Sequence, residues 1–387
     1  MIPVLAVFID SLKPESVEYM EFLNSFESKA RVKTELPSYS NTCHASIYTG
    51  VYPEKHKHFF IWKYSPETSP FKVFMKLKLH KLVHDTRTKY LLYAIRCKLK
   101  FGIVPYGYLF FAKHSLSFWA HHDLEMVKFW GKPDMYVGRY PTIFKILDEA
   151  RIEYQVIWKP KGSLNKLNVK NPPAPFTYIF IGHIDPITHK YSQESSEAKR
   201  MLEQIDRVLE KVYFKFEKVY GDDFLFLVFS DHGQTEIKER VDLDLCFKSN
   251  GRNLKDYLHF IDSCYARFWF KNERERKEVE KVLSKLEDKG FILTEDILEK
   301  YHSKVPKNEY GELIFYLEPP YVFNVVDPKA ICMHGYLPDH PDLDGVCVTN
   351  RKIIKGSYIK LQDIAPSILQ ALGLEVPNYM DGEPIWK

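Results

Sequence analysis

A chain of 387 residues is too long for one small core, and it calls for one large α/β domain with an insertion, or for two domains. Hydrophobic residues at 45% against 27% charged exclude a disordered chain, and a net charge of +4 is too small to imply a nucleic acid polymer as partner. Six scattered cysteines with no C-x-x-C pair argue for buried thiols in a reducing compartment and against a disulfide framework or zinc knuckle.

The first apolar run, residues 3–10, has no basic region before it and ends in Asp10. It reads as a strand rather than a signal peptide. No stretch reaches the roughly 18 uninterrupted apolar residues of a spanning helix, so the expected location is cytoplasmic. Residues 14–23 read as helix and 30–36 as strand. Thr42 to Thr49 has no breaker and is expected to be helical, with Gly50 as its stop and Ser40 at or just before its N-terminus. Free N–H groups and the dipole favour an anion there.

Residues 61–139 differ in character. From Lys63 to Lys113 there are eleven Lys/Arg against two acids, Glu67 and Asp85. Aromatics and leucines are interleaved, as in Phe71-Lys-Val-Phe-Met-Lys-Leu-Lys-Leu-His-Lys-Leu-Val83 and Tyr106-Gly-Tyr-Leu-Phe-Phe111. The segment reads as a basic, mostly helical insertion over the catalytic face. Its two readings are a solvated basic face on a packing helix, and a cap for an anionic or lipid-linked substrate or an anionic membrane surface.

The α/β pattern resumes at Tyr140, with a helix expected from Pro141 and a strand at 154–158. Phe176 to Asp185 reads as a strand ending in an acid. A long amphipathic helix spans 193–218, and the buried run Phe224–Phe229 leads into Ser230-Asp231-His232-Gly233. Residues 241–329 read as a small α+β lobe, with a charged helix at 272–289. His334-Gly335 lies in a loop, and a last helix, 361–372, is closed by Gly373.

Three apolar strands thus end in Asp10, Asp185 and Asp231, and a parallel sheet brings such ends to one edge. Crowded carboxylates repel unless cations sit among them. His189, four residues after Asp185, can reach the same ion. His232 and His334 complete a mixed His/Asp set that suits zinc, with manganese or iron as alternatives. Two ions about 3.5–4 Å apart clamp a phosphoryl displacement, and Ser40 beside them becomes a nucleophile. His44, one helical turn after Ser40, reads as a packing or capping residue, and His183 and His340 flank the ligand candidates as weaker alternatives. Arg267 reads equally as an oxyanion ligand or a buried ion pair.

Asp10, the block from Ser40 to Thr49-Gly50 with Tyr52-Pro53-Glu54 and His56, Asp185-x-x-x-His189, Asp231-His232-Gly233 and His334-Gly335 stand in the order of the alkaline phosphatase superfamily. The chain resembles its type I phosphodiesterase/nucleotide pyrophosphatase family over nearly its whole length except residues 60–140. The resemblance implies an α/β fold, a mostly parallel sheet flanked by helices, with a core of residues 1–60, 140–240 and 330–387. It implies one metal held by Asp185, His189 and His334, and a second by Asp10, Asp231 and His232 with Ser40 bridging toward it. Where nucleotide pyrophosphatases usually carry a phosphate-donating Asn, this chain has Ile61; Asn41 and Lys63 are the substitutes, with Lys57 and His58 beside them. The expected activity is a phosphodiesterase acting through a Ser40 phospho-enzyme. Metal-dependent transfer, as in mutases, and a non-catalytic module for anionic lipid or glycan are the alternatives.

Overall fold

The computed structural model describes residues 1–69, 71–78, 85–101, 116–128, 132–159, 161–164 and 167–386. Seven strands form the central sheet: β1 (Val4–Ile9), β2 (Ser28–Lys33), β3 (Tyr154–Lys159), β4 (Phe176–Ile181), β5 (Leu225–Phe229), β6 (Gly345–Thr349) and β7 (Tyr358–Lys360). Their order is β7-β2-β6-β5-β1-β4-β3. β1 pairs in parallel with β4 and β5, and β3 and β7 add parallel to β4 and β2. Only β6 runs against its neighbours.

β1 and β5 are apolar throughout, β4 is apolar but for Thr177 and the Tyr178 hydroxyl, and all three are buried at every residue. A strand covered on both faces has no polar face to alternate with. The pleat still sorts the side chains. Val4, Ala6 and Phe8 join Tyr178 and Phe180 in one core, while Leu5, Val7 and Ile9 face the other with Ile179 and Ile181.

Among the described residues the helices of eight or more are α1 (Ser40–Thr49), α2 (Thr86–Phe101), α3 (Ile184–Tyr191), α4 (Ser196–Tyr220), α5 (Glu273–Leu283) and α6 (Ile364–Ala371). α4 lays Leu202, Ile205, Leu209 and Phe216 against the second face of the sheet. None of the described helices is long and apolar enough to cross a membrane.

Two sequence expectations are corrected. The strand expected to end at Asp185 stops at Ile181, and Asp185 lies in the first turn of α3. The helix expected from Pro141 starts at Ile143, with Thr142 extended at its N-cap; Pro141 pairs with Tyr136 instead.

The insertion is anchored by an antiparallel pair, Trp62–Tyr64 with His122–Leu124. Trp62, Tyr93, Cys97 and Trp119 enter the same core as Phe8 and Phe180, together with Phe260 and Trp269. Residues 79–83 of the first basic-aromatic run, and the run Tyr106–Phe111, lie outside the described residues. The small lobe is an antiparallel sheet ordered Leu258–Ile261, Tyr265–Trp269, Leu313–Leu317, Gly290–Ile292. Val279 and Leu283 of α5 close its own core, which also takes Phe59 and Phe60.

Candidate metal centre

The site forms where β1 and β5 end and α1 and α3 begin. Asp10 follows β1, and Asp231-His232 follow β5 after one residue. Asp185 and His189 stand one turn apart on α3, so both point the same way. His334 comes from the loop after the short strand Cys332–Met333. Ser40 is the first residue of α1, after an extended Tyr39.

Two glycines make this approach possible. A Cβ on Gly233 would meet the Asp342 carbonyl oxygen at 2.2 Å. Gly335 has φ +103°, and a Cβ there would lie 2.6 Å from the Tyr39 ring. Larger residues would displace His232 and His334 from their places.

Two groups of three ligand atoms result, Asp185/His189/His334 and Asp10/Asp231/His232, each within 4.8 Å of one another. The Ser40 hydroxyl lies 3.2 Å from His232 Nε2 and 3.5 Å from Asp10 Oδ1. The His232 and His334 rings stack at 3.9 Å.

The histidines are oriented by the backbone. His189 Nδ1 meets the Cys332 carbonyl at 2.8 Å, His334 Nδ1 the Ser38 carbonyl at 2.8 Å, and His232 Nδ1 the Gly233 carbonyl at 3.2 Å. A carbonyl only accepts, so each Nδ1 carries the proton and each Nε2 presents a lone pair. Those lone pairs face carboxylates: His232 Nε2 lies 3.2 Å from Asp231 Oδ2, and His189 Nε2 3.3 Å from Asp185 Oδ1. Acceptor against acceptor at such distances is repulsive unless a cation lies between. Asp231 Oδ2 is buried without a hydrogen bond. The donor set therefore fits two divalent cations with N/O ligands.

The histidines divide: burial would lower His189, but the Asp185 carboxylate outweighs it and holds His189 raised, while the other two go down. Burial lowers His232 to about 4 and His334 to about 3, keeping both neutral as ligands must be. Burial, then repulsion from Asp231 and Asp185, pushes Asp10 well above the usual carboxylate range. Burial raises Asp231 to about 7. Asp185 goes the other way: burial would raise it, but His189 and His334 outweigh that and hold it low.

Other proposed site residues lie elsewhere. Asn41 Oδ1 accepts from the Val127 amide at 3.0 Å, tying α1 to the insertion. Lys63 is paired with Glu125 at 3.0 Å and Glu309 at 3.4 Å. Neither belongs to the ligand groups. His44 packs edge-on against Phe8 at 4.8 Å, His183 meets the Gly162 carbonyl at 2.8 Å, and His340 caps a short helix. Arg267 is fully buried between Phe60 and Phe260, 4.3 and 4.5 Å from their ring centres, and donates to the Trp62 carbonyl at 3.0 Å. The ion-pair reading fits it, with Asp262 at 3.7 Å.

The sequence reading missed Gln234, whose Nε2 donates to Asp185 Oδ1 at 2.8 Å. Its place directly after Asp-His-Gly is the only sequence signal. It also missed Tyr39, which packs at 5.8 Å from His334 and donates to Asp262 Oδ1 at 2.8 Å.

A model of the type I phosphodiesterase / nucleotide pyrophosphatase family matches residues 4–337. No curated protein matches the sequence. Among solved structures, human ectonucleotide pyrophosphatase / phosphodiesterase 5 is similar, with a TM-score of 0.69 and 14% identity over 98% of this chain and 97% of that one. The murine protein gives a TM-score of 0.66 at 12% identity, over 98% of this chain and 97% of that one. An inactive murine variant in complex with AMP gives 0.67 at 11% identity, over 98% of each. The fold is that of the alkaline phosphatase superfamily, an α/β core around a mostly parallel sheet.

Proposed function

The chain belongs to the type I phosphodiesterase/nucleotide pyrophosphatase family, a family of phosphoric ester hydrolases, and from that premise we propose that it is a two-metal phosphodiesterase with Ser40 as nucleophile. The observation that carries this reading is the Ser40 hydroxyl, 3.2 Å from His232 and 3.5 Å from Asp10, beside six ligand atoms whose lone pairs converge. Asp185, His189 and His334 would hold one divalent ion, and Asp10, Asp231 and His232 the other, zinc before manganese or iron. Such ions, when bound, favour the alkoxide of Ser40 and offset charge on the attacking and leaving oxygens.

The chain's own groups do the rest. Ser40 Oγ attacks phosphorus, the new Oγ–P bond forms, and the bond to the leaving alcohol or phosphate breaks. Water then forms the new P–O bond and releases Ser40. The start of α1 directs N–H groups at the transferring anion. Gln234, Cys332, Ser38 and Gly233 hold the ligands in orientation.

The substrate class we propose is a small or lipid-linked phosphodiester. The AMP bound by a murine neighbour supports the nucleotide member of that class. Asn41, one residue from Ser40, is the nearer of the two proposed phosphate donors, since Lys63 already pairs with two glutamates. A reducing, cytoplasmic setting remains part of the proposal, on the scattered spacing of the six cysteines in the sequence.

The test is hydrolysis of bis(p-nitrophenyl) phosphate and p-nitrophenyl phosphate with added zinc or manganese, for wild type and Ser40→Ala. Diester cleavage lost on chelation and in the variant is expected. Full activity in Ser40→Ala would remove the covalent step. Metal bound without cleavage of either ester would point to transfer onto a specific acceptor.

A further inference from the structure

Helix α2 has two apolar faces. One is inward: Tyr93 and Cys97 are buried against the sheet core, and Tyr93 stacks at 6.2 Å on Trp62. A helix packed on a core ordinarily turns its other side, charged, to water. Here the other side carries Leu91, Ile95 and Leu99, which are 58%, 49% and 82% exposed. At about 100° per residue these three, spaced by four, form one stripe along the helix. Tyr93 and Cys97 fall on the opposite side of the same turns.

The stripe has company. Arg87 and Lys98 are exposed and fall on the same side of the helix as Leu91 and Ile95. The short helix Lys72–Lys76 exposes Val73 and, just past its end, Leu77, again between lysines. Between Lys63 and Lys113 cations outnumber acids eleven to two.

We propose that the outer face of α2 docks on an anionic lipid surface, with Leu91, Ile95 and Leu99 in the headgroup–acyl boundary and Arg87 and Lys98 on lipid phosphates. Apolar side chains flanked by snorkelling cations are the composition an interfacial helix needs. Charge selects this occupant. A second copy of the chain would bring one basic face against another in a two-fold interface. A nucleic acid would engage the cations but gain nothing from the exposed leucines. With 16 residues, α2 is too short to span a bilayer, so the contact is peripheral. Docking of α2 on lipid is independent of catalysis, because lipid binding is measured without turnover.

The test is co-sedimentation of the full chain with vesicles of phosphatidylcholine alone, and of equal parts phosphatidylcholine and phosphatidylglycerol. Binding to the anionic vesicles only, weakened by salt, is expected. The triple substitution Leu91→Gln, Ile95→Gln, Leu99→Gln is expected to lower the bound partition by about tenfold or more. Circular dichroism and thermal melts verify that it folds. A second variant, Arg87→Gln with Lys98→Gln, leaves the leucines intact and is expected to lose the preference for anionic vesicles. No binding to anionic vesicles overturns the proposal. So does binding unchanged in both variants. Self-association in sedimentation that the triple variant abolishes would assign the stripe to a second copy instead. Equal retention on heparin and vesicles, insensitive to the triple variant, would assign a general polyanion site.

Discussion

Helix α1 touches two buried clusters, each with a serine, a histidine and an acid, and they behave in opposite ways. At its start, Ser40 meets His232, Asp10 and Asp231. In its middle, Ser46 donates to Glu35 Oε2 at 2.6 Å and lies 2.9 Å from His56 Nε2. The second cluster closes on itself. The His58 amide donates to His56 Nδ1 at 3.0 Å, so His56 Nε2 carries the proton and gives it to Ser46. Gln362 donates to the other oxygen of Glu35. Around Ser40 the tautomer is reversed: the Nδ1 atoms are held by carbonyls, and the Nε2 lone pairs point at carboxylates. One cluster has a donor for each acceptor and needs nothing more. The other is short of positive charge, which the two divalent cations proposed above would supply. Tautomer and donor balance, rather than residue types, separate the structural cluster from the functional one.

The comparison can be broken at either serine. Ser40→Ala is expected to lower diester turnover by about 10³-fold or more while the melting temperature stays near wild type, as activity assays and calorimetry will show. Comparable loss of fold and activity together would erase the distinction.

Glu35 gives a pH test of the closed cluster. Burial raises its carboxyl to about 8, against the lowering hydrogen bonds from Ser46 and Gln362. A raised folded pKa means a stability contribution that is fully present below the unfolded value near 4.5 and lost as pH rises to about 8. The loss is on the order of 5 kcal/mol. Glu35→Gln carries no charge to bury, so its stability relative to wild type should improve between pH 5 and 8 and level off above that in thermal melts. A difference independent of pH would mean that Glu35 does not titrate there.

Ser46→Ala leaves Glu35 Oε2 and His56 Nε2 without the hydroxyl each now meets, while Gln362 and the His58 amide keep their bonds to the other atoms. It is expected to cost about 2–3 kcal/mol in denaturant unfolding, with turnover per folded molecule unchanged. Gln234→Ala sharpens the contrast from the other side. It removes a donor to Asp185 without touching a ligand, and metal affinity by titration calorimetry should fall about tenfold while stability without metal changes little.

Much of the centre was legible because buried strands read as continuous apolar runs. Such runs made β1 and β5 visible, and Asp10, directly after β1, and Asp231-His232, one serine after β5, fall at the carboxyl edge of the sheet. Asp185 was legible as a residue and misplaced as an element. The apolar run of β4 continues through Gly182-His183-Ile184, and nothing local marks where the strand yields to α3. Pro141 misled for a related reason: a proline suits a first helical turn, but here the chain needs it extended to pair with Tyr136.

The sequence by itself offered the six candidate ligand residues, the serine at a helix start and the glycines that follow His232 and His334. Those follow from local chemistry: apolar runs bury, breakers turn, and His and Asp bind cations. Only the tertiary structure decided which lone pairs face inward. That choice rests on the carbonyls of Ser38, Gly233 and Cys332, and a carbonyl is common to every residue, so no letter in the sequence reveals it. The same holds for Ser40 and Ser46. Both lie on one helix six residues apart, and only the distant residues folded against each decide that one cluster is closed and the other open.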